Sequence, residues 1–116
     1  MPKSATRVST PRPNQLRDCL RSGRFAVTAE IVPPASSDPA DLLAQAKPLA
    51  GVADAVNVTD GAGARSHMGS LAAAAILLQN GVEPILQLAC RDRNRIALQS
   101  DLLAAAARAY AKKCVS

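Results

Sequence analysis

The strongest constraint on the fold is a threefold alternation of apolar runs with helix-forming stretches. Each alternation spans about thirty residues, the usual size of a strand–helix–strand repeat. The predicted strands lie at about residues 25–32, 53–58 and 82–88, and the helices that follow them at about 38–50, 71–79 and 96–113. Ser70 or His67 is expected to begin the second of these helices. Regular alternation predicts parallel strands joined by right-handed crossovers. The pattern fits a doubly wound sheet or the start of a (β/α)₈ barrel.

Helix-boundary signals support these positions. Asp38 is predicted to cap the first of the three helices, with Pro39 at the first helical position. Pro48 then ends or kinks that helix, because proline lacks the amide hydrogen that helix interiors need. A separate short helix is predicted over residues 14–22, closed by Gly23.

The first predicted strand ends in a carboxylate. By the two-residue period of a strand, we expect one buried apolar face composed of Phe25, Val27, Ala29 and Ile31. Glu30 lies on the other face, just before two prolines stop the strand. A carboxylate at such a position is either a solvated strand end or a group with a chemical task, and it could act as a general acid if burial raised its pKa toward neutrality.

The same period places polar side chains of all three strands on one surface. Its members are Thr28, Glu30, Asn57, Thr59 and Gln87. They lie toward the carboxyl ends of parallel strands, where ligand sites of α/β folds form. Neutral amides and hydroxyls suit a polar heterocycle better than a phosphate.

The basic character of the chain is confined to its beginning. Residues 1–24 hold six basic and one acidic side chain, whereas residues 25–116 hold eight of each. A basic arm can contact nucleic acid or an anionic surface, but a solvated leader is the commoner outcome. We therefore divide the chain into a basic leader with a short helix, residues 1–23, and an α/β domain, residues 24–116.

Several classes of protein are disfavoured. Phe25 and Tyr110 are the only aromatic residues, too few for a reader that stacks bases, so we expect no nucleic-acid partner. The longest apolar run, 71–78, is far too short to span a bilayer, so we expect no membrane association. Three widely spaced cysteines predict no metal site and favour a reduced, cytoplasmic setting. No Gly-x-Gly-x-x-Gly motif follows the first strand, which argues against a dinucleotide-binding Rossmann fold.

Two polar segments receive a structural interpretation. Arg91, Arg93 and Arg95 follow the third strand, and we interpret them as a solvated loop, although they could also meet an anion. His67 stands alone in a glycine-rich loop and is interpreted as a helix-entry residue without a catalytic role.

Three stretches resemble the first three βα units of the methylenetetrahydrofolate reductase family. They are FAVTAEIVPP at 25–34, DAVNVTDGAG at 54–63 and PILQLACRDRNR at 84–95, and the resemblance covers about residues 24–107. It implies a (β/α)₈ TIM-barrel fold of which only the first three βα units are present. It also implies an FAD enzyme that passes a hydride from NAD(P)H to 5,10-methylenetetrahydrofolate and gives 5-methyltetrahydrofolate, in one-carbon and methionine metabolism.

The resemblance assigns roles to five residues of this chain. Glu30 matches the family's acid, which supplies the proton for opening the folate ring. Thr59, Asp60 and Ala62 match the loop that contacts the flavin and the nicotinamide, and Gln87 matches a flavin-contacting residue that is commonly His in relatives. Asp60 likewise stands where some relatives carry Tyr, and no metal is implied.

The extent of the chain adds an expectation about activity. A complete barrel of this kind takes about 250 residues, so we expect a fragment that is inactive alone. Three strands leave two open sheet edges, which predicts marginal stability and self-association or aggregation. The alternative to a reductase is a non-enzymatic remnant or a small self-associating α/β module.

Overall fold

The centre of the molecule is a sheet of four parallel strands arranged in chain order. The computed structural model describes residues 15–108 and the backbone of residues 113–115. The strands are β1 (Thr28–Ile31), β2 (Ala55–Val58), β3 (Pro84–Leu88) and β4 (Lys113–Val115). The helices are α1 (Gln15–Arg21), α2 (Pro39–Ala46), α3 (Ser70–Gln79) and α4 (Arg95–Ala107). The three predicted βα units and their parallel pairing are therefore confirmed.

One face of this sheet forms the core together with α2, α3 and α4. The strand residues in this core lie two positions apart along β2 and β3, as a two-residue period requires, and are Ile31, Val56, Val58, Leu86 and Leu88. The helices meet them with small and branched side chains, namely Leu42, Ala46, Ala73, Ala74, Leu77, Leu78 and Ala105. Each fully buried leucine or valine contributes about 1.5–3 kcal/mol relative to exposure. The opposite face of the sheet carries several polar side chains together with Ala55 and Ile85.

The helix boundaries follow the predicted signals. The Asp38 side chain accepts the Ala40 N–H at 2.9 Å, and Pro39 opens α2. The α-helix ends at Ala46, and a tighter turn, Lys47–Leu49, carries the proline that was predicted to end it. Helix α1 also ends as predicted, before Gly23, whose φ of +80° favours glycine. The predicted cap at residue 14 lies outside the described residues.

The prediction for the first strand is partly wrong. β1 begins at Thr28 rather than residue 25, and Phe25 is 89% exposed. Val27 is 40% exposed. Its backbone N–H donates to the Asp54 carboxylate at 2.8 Å. Ile31, at the carboxyl end of the strand, is buried in the core, whereas the side chains of Phe25 and Val27 on the same predicted face are exposed. Apolar character alone did not reveal where the covering layer stops.

The third predicted helix is also too long. α4 ends at Ala107, and residues 113–115, expected at the end of that helix and beyond it, form the short strand β4 beside β3. An alanine- and lysine-rich segment favours helix by intrinsic propensity. Pairing with an open sheet edge satisfies backbone groups that propensity does not take into account. β3 therefore has a neighbour on both sides, contrary to the expectation of a free edge.

Two carboxylates hold α1 against the amino ends of the strands. Glu83, directly before β3, is 7% exposed and accepts the backbone N–H groups of Gln15 at 2.5 Å and Leu16 at 3.2 Å. These are helix-start amides that have no partner within the helix itself. Asp54, directly before β2, accepts the Gln15 side-chain amide at 3.4 Å and lies 3.8 Å from the buried Cys19 thiol. These contacts join α1 to two strands, and the domain boundary expected near residue 23 stays a prediction.

The pH dependence of stability should report on Asp54. The Val27 N–H and, next, the Gln15 amide hold the pKa of Asp54 below its ordinary 3.8. Its stabilising contribution is therefore complete above that value and is lost as the pH falls through the lower folded-state pKa. We expect the stability difference between wild type and Asp54→Asn to shrink below pH 3.8, measured by urea unfolding from pH 7 to pH 2. A difference that stayed constant over this pH range would contradict this.

Candidate functional site

A row of polar side chains crosses the open face of the sheet; we call Glu30, Asn57 and Gln87 the polar row. Glu30 and Asn57 are paired in the β1–β2 register. The Gln87 side-chain amide donates to Asn57 Oδ1 at 3.4 Å, and the Asn57 amide donates to the Ala29 carbonyl at 3.5 Å. These are long, weak hydrogen bonds. The strand period therefore placed these three residues correctly on one face, and the roles assigned to them stay predictions.

The carboxylate of Glu30 is exposed. Within residues 15–108 it makes no hydrogen bond or ion pair. The hypothesis of a general acid depended on burial, and burial is not present on this open face. Glu30 is therefore accessible to a ligand.

Thr59 directly follows β2, and only 8% of it is exposed. Its N–H donates to the Ile31 carbonyl at 3.1 Å, which extends the β1–β2 pairing by one residue. Its side chain is buried, and the Oγ1 hydroxyl has no hydrogen-bond partner among the described residues. A buried polar group without a partner costs about 1–3 kcal/mol. The hydroxyl is thus an unused hydrogen-bonding group next to the polar row.

The carboxylate of Asp60 is engaged by the neighbouring loop. It accepts the Ala89 N–H at 2.7 Å and forms an ion pair with Arg93. The same guanidinium donates to the Ala89 carbonyl at 2.9 Å and to Asp101 in α4 at 2.7 Å. The hydrogen bond with Asp60 is the main cause that raises the pKa of Arg93. Interpreting this arginine as part of a solvated loop is wrong, since its side chain is only 17% exposed.

Ala62 is linked to the loop after β1 through His67. Nε2 of the His67 ring lies 3.2 Å from the Ala62 carbonyl, and Nδ1 lies 2.9 Å from the Pro33 carbonyl. A neutral imidazole carries one N–H, so the tautomer decides which carbonyl receives a hydrogen bond. His67 precedes α3 by three residues, as the helix-entry interpretation expected. It also joins two of the three loops at the carboxyl edge of the sheet.

Arg91 holds the next part of the same loop. Its guanidinium donates to the Gly61 carbonyl at 3.1 Å and pairs with Asp92 at 2.6 Å. Gly61 has a φ of +59°, which favours glycine, and a Cβ there would lie 3.1 Å from the Arg91 guanidinium. A cleft of about 360 Å³ opens beside this loop and is lined in part by Asp60, Gly61, Arg65, His67 and Asp92.

The described part of the chain holds neither a metal cluster nor a membrane-spanning helix. No group of three or more His, Cys, Asp and Glu side chains is arranged to hold a metal ion within residues 15–108. In the same part of the chain, no helix has both the length and the apolar character needed to cross a membrane.

Parallel strands, helices on one face and polar side chains at the carboxyl edge define a βα-repeat unit, and ligand sites of such folds form at that edge. Residues 15–111 match the family model described as methylenetetrahydrofolate reductase. That match covers most of the 116 residues, and the chain belongs to the methylenetetrahydrofolate reductase family. The family has a TIM-barrel fold, whereas the described unit is an open sheet. A comparison with curated proteins gives no match.

Proposed function

We propose that the polar row and the loops after β1, β2 and β3 form part of the flavin and folate site of a methylenetetrahydrofolate reductase. The reaction is the NAD(P)H-dependent reduction of 5,10-methylenetetrahydrofolate to 5-methyltetrahydrofolate through FAD, two cofactors that the family generally uses. The observation that carries the proposal is the placement of Glu30, Asn57 and Gln87 in one accessible row, in a chain of this family. FAD, when bound, relays the hydride between the nicotinamide and the folate.

The donor and acceptor groups present suit a flavin ring. The amides of Asn57 and Gln87 offer both donors and acceptors, which match the carbonyl and N–H groups on the polar edge of the ring. Their mutual hydrogen bond is long, at 3.4 Å, so little is lost when each turns to a ligand. The unpartnered hydroxyl of Thr59 is a third group available after a small movement of its loop. Ala62 contributes backbone groups from the same loop.

Glu30 is proposed as the proton donor to the folate. It lies at the carboxyl end of β1, next to Asn57 in register, and its carboxylate is free of protein partners within residues 15–108. A carboxyl group beside a bound ring can hydrogen-bond the folate nitrogen and protonate it as the five-membered ring opens. Proton transfer of this kind is favoured when the open face is covered and water is excluded from it.

Titration of the chain into FAD, followed by flavin fluorescence, tests this assignment. We expect saturable quenching for wild type and an affinity about tenfold lower for Gln87→Ala, equivalent to about 1.4 kcal/mol of lost contact. Gln99→Ala, a matched change on α4 far from the polar row, should leave the affinity unchanged. Glu30→Gln should also bind FAD normally, because its proposed partner is the folate. An absence of saturable quenching by the monodisperse wild-type chain would reject the flavin site.

A second candidate function is supported by exposed apolar side chains on both flanks of the unit. Phe25 is 89% exposed beside β1, whereas Ile96 and Leu103 are 68% and 72% exposed on α4. Exposed apolar surface of this kind is typical of interaction sites. A non-enzymatic self-associating module would use these flanks. Light scattering across a concentration series separates the two candidates, because self-association without FAD binding favours the module.

A further inference from the structure

One ion-pair network joins the loops after β2 and β3 to helix α4. We define it as the rim network, composed of Asp60, Ala89, Arg93 and Asp101. We propose that Arg93 is a positioning residue, which holds segment 59–62 against the end of β3 so that this segment can meet the flavin. The inference rests on the proposed function for its ligand, but the geometry that it explains is present in the protein alone.

The Asp60 side chain is committed to the end of β3. The paired residues of β2 and β3 end at Val58 and Leu86. Beyond them, the Asp60 carboxylate accepts the Ala89 N–H at 2.7 Å. A side chain thus takes the place of the next backbone acceptor in the pairing. Asp60 is only 12% exposed at its side chain.

Arg93 reaches three acceptors from three parts of the fold. Its guanidinium donates to Asp60 after β2, to the Ala89 carbonyl after β3 and to Asp101 within α4. A planar guanidinium presents five donors in a fixed arrangement, whereas a lysine ammonium is a compact point charge on a flexible stem. Arginine can therefore bridge these acceptors at once, and lysine at the same position cannot reproduce the geometry.

Removal of the guanidinium would leave Asp60 without its ion-pair partner, with the more distant charge of Arg91 as the remaining cation that acts on it. Within the described residues, Asp60 would keep the Ala89 N–H as its one hydrogen-bond donor. A largely buried carboxylate without its ion-pair partner is strongly disfavoured. The response that costs least is for the loop to swing Asp60 into water, which also moves Thr59 and Ala62. Segment 59–62 is therefore the part of the site that depends on Arg93.

The rim network changes the role expected for Asp60. The resemblance predicts that Asp60 binds the cofactor. Its Oδ2 atom is already engaged by Ala89 and Arg93, so the contact of this segment with a flavin falls to Thr59 and to the backbone of Gly61 and Ala62. Arg93 then influences the flavin without touching it.

The test compares four variants of the full chain. Arg93→Gln removes the bridge, and Arg93→Lys keeps the charge with poorer geometry. Asp101→Asn breaks only the link to α4. Arg95→Gln is the matched control, since Arg95 is exposed two positions away and its loss changes the net charge equally. Three quantities are measured: FAD affinity, hydrogen exchange of the Ala89 amide and of segment 59–64, and the free energy of unfolding.

We expect Arg93→Gln to weaken FAD binding at least tenfold and to speed exchange of the Ala89 amide at least tenfold. Asp101→Asn and Arg95→Gln should stay within twofold of wild type in affinity. If Arg93→Gln does not fold, Arg93→Lys serves instead, with a loss of affinity and of Ala89 protection larger than that of Asp101→Asn. Equal losses of affinity for Asp101→Asn and the Arg93 variant, in proportion to lost stability, would show a structural role only and overturn the proposal.

Failure of the flavin site and failure of the positioning role give different results. If wild type does not bind FAD, the proposed function is rejected, and the positioning role is then judged by exchange alone. Faster exchange of Ala89 and of segment 59–64 in Arg93→Gln, but not in Asp101→Asn, supports positioning of the loop. If wild type binds FAD and Arg93→Gln binds it within twofold, with unchanged exchange, the function stands and the positioning role of Arg93 is overturned.

Discussion

Replacing Leu86 by alanine is expected to lower the free energy of unfolding by about 3 kcal/mol, within the range for truncating a fully buried leucine. Leu86 is completely buried, and its strand lies between β2 and β4. Removing its side chain leaves a cavity among residues of both the sheet and the helices, and neither layer can collapse into it without losing other contacts. Urea unfolding followed by far-ultraviolet circular dichroism measures the change, since the chain contains no tryptophan.

Leu103→Ala is the matched control for this experiment. Leu103 is 72% exposed on α4, so the same chemical change should alter the free energy of unfolding by no more than about 0.5 kcal/mol. Similar losses for the two variants would mean that the helix layer does not cover the face of the sheet on which Leu86 lies.

Replacing Glu83 by alanine is expected to lower the free energy of unfolding by about 2 kcal/mol, and to do so by releasing α1. The carboxylate accepts the two amides that start this helix, and a hydrogen bond to a charged group typically contributes about 1.5–3 kcal/mol. A seven-residue helix is too short to persist without such tertiary contacts. Cys19, the fully buried residue of α1, would become exposed with it.

Limited trypsin digestion shows whether the loss is local. Arg17 and Arg21 lie in α1, and cleavage after them should be faster in Glu83→Ala while the rest of the chain stays resistant. Glu30→Ala is the control, because that carboxylate is exposed on the open face of the sheet, away from α1. Uniform acceleration of cleavage along the chain, or none, would contradict a helix held by Glu83.

Much of the fold was predictable because its signals are local. Asp38 and Pro39 open α2 through the chemistry of their own side chains, and the proline at 48 ends it in the same way. The two-residue period of β2 and β3 identified the buried face from residues within five positions of each other. Such features need no knowledge of distant parts of the chain.

The errors in the fold came from contacts between distant segments. Phe25 has a strand-forming side chain, but whether it is buried depends on where α2 and its neighbours pack. Residues 113–115 follow a helix-forming run, yet β3 offers them backbone partners about 27 residues away. Local propensity carries no information on either point.

The same distinction between local signals and distant contacts applies to the candidate site. The period of the strands placed Glu30, Asn57 and Gln87 on one face, as the structure confirms. The period could not show that Asp60 would form an ion pair with Arg93, which is 33 positions away. A charge run after a strand is usually solvated, so the sequence favoured the wrong interpretation of that arginine.

One signal for the anchoring of α1 was present in the sequence and was missed. Asp54 and Glu83 each stand directly before a strand, β2 and β3 respectively, at equivalent points of two successive repeats. An acid repeated at the amino end of neighbouring parallel strands places two carboxylates at one edge of the sheet. In the structure, Glu83 accepts the first two backbone amides of α1, and Asp54 accepts the side-chain amide of Gln15.

The order of the strands in the sheet has a consequence for how the chain is made. Each strand pairs with the one synthesised just before it, at a distance of about 28 residues, as between Thr28 and Ala55 or Val56 and Pro84. As the chain leaves the ribosome, each of these strands can therefore pair with a strand that has already been synthesised. Growth of the sheet by addition at one edge keeps the search for each pairing short.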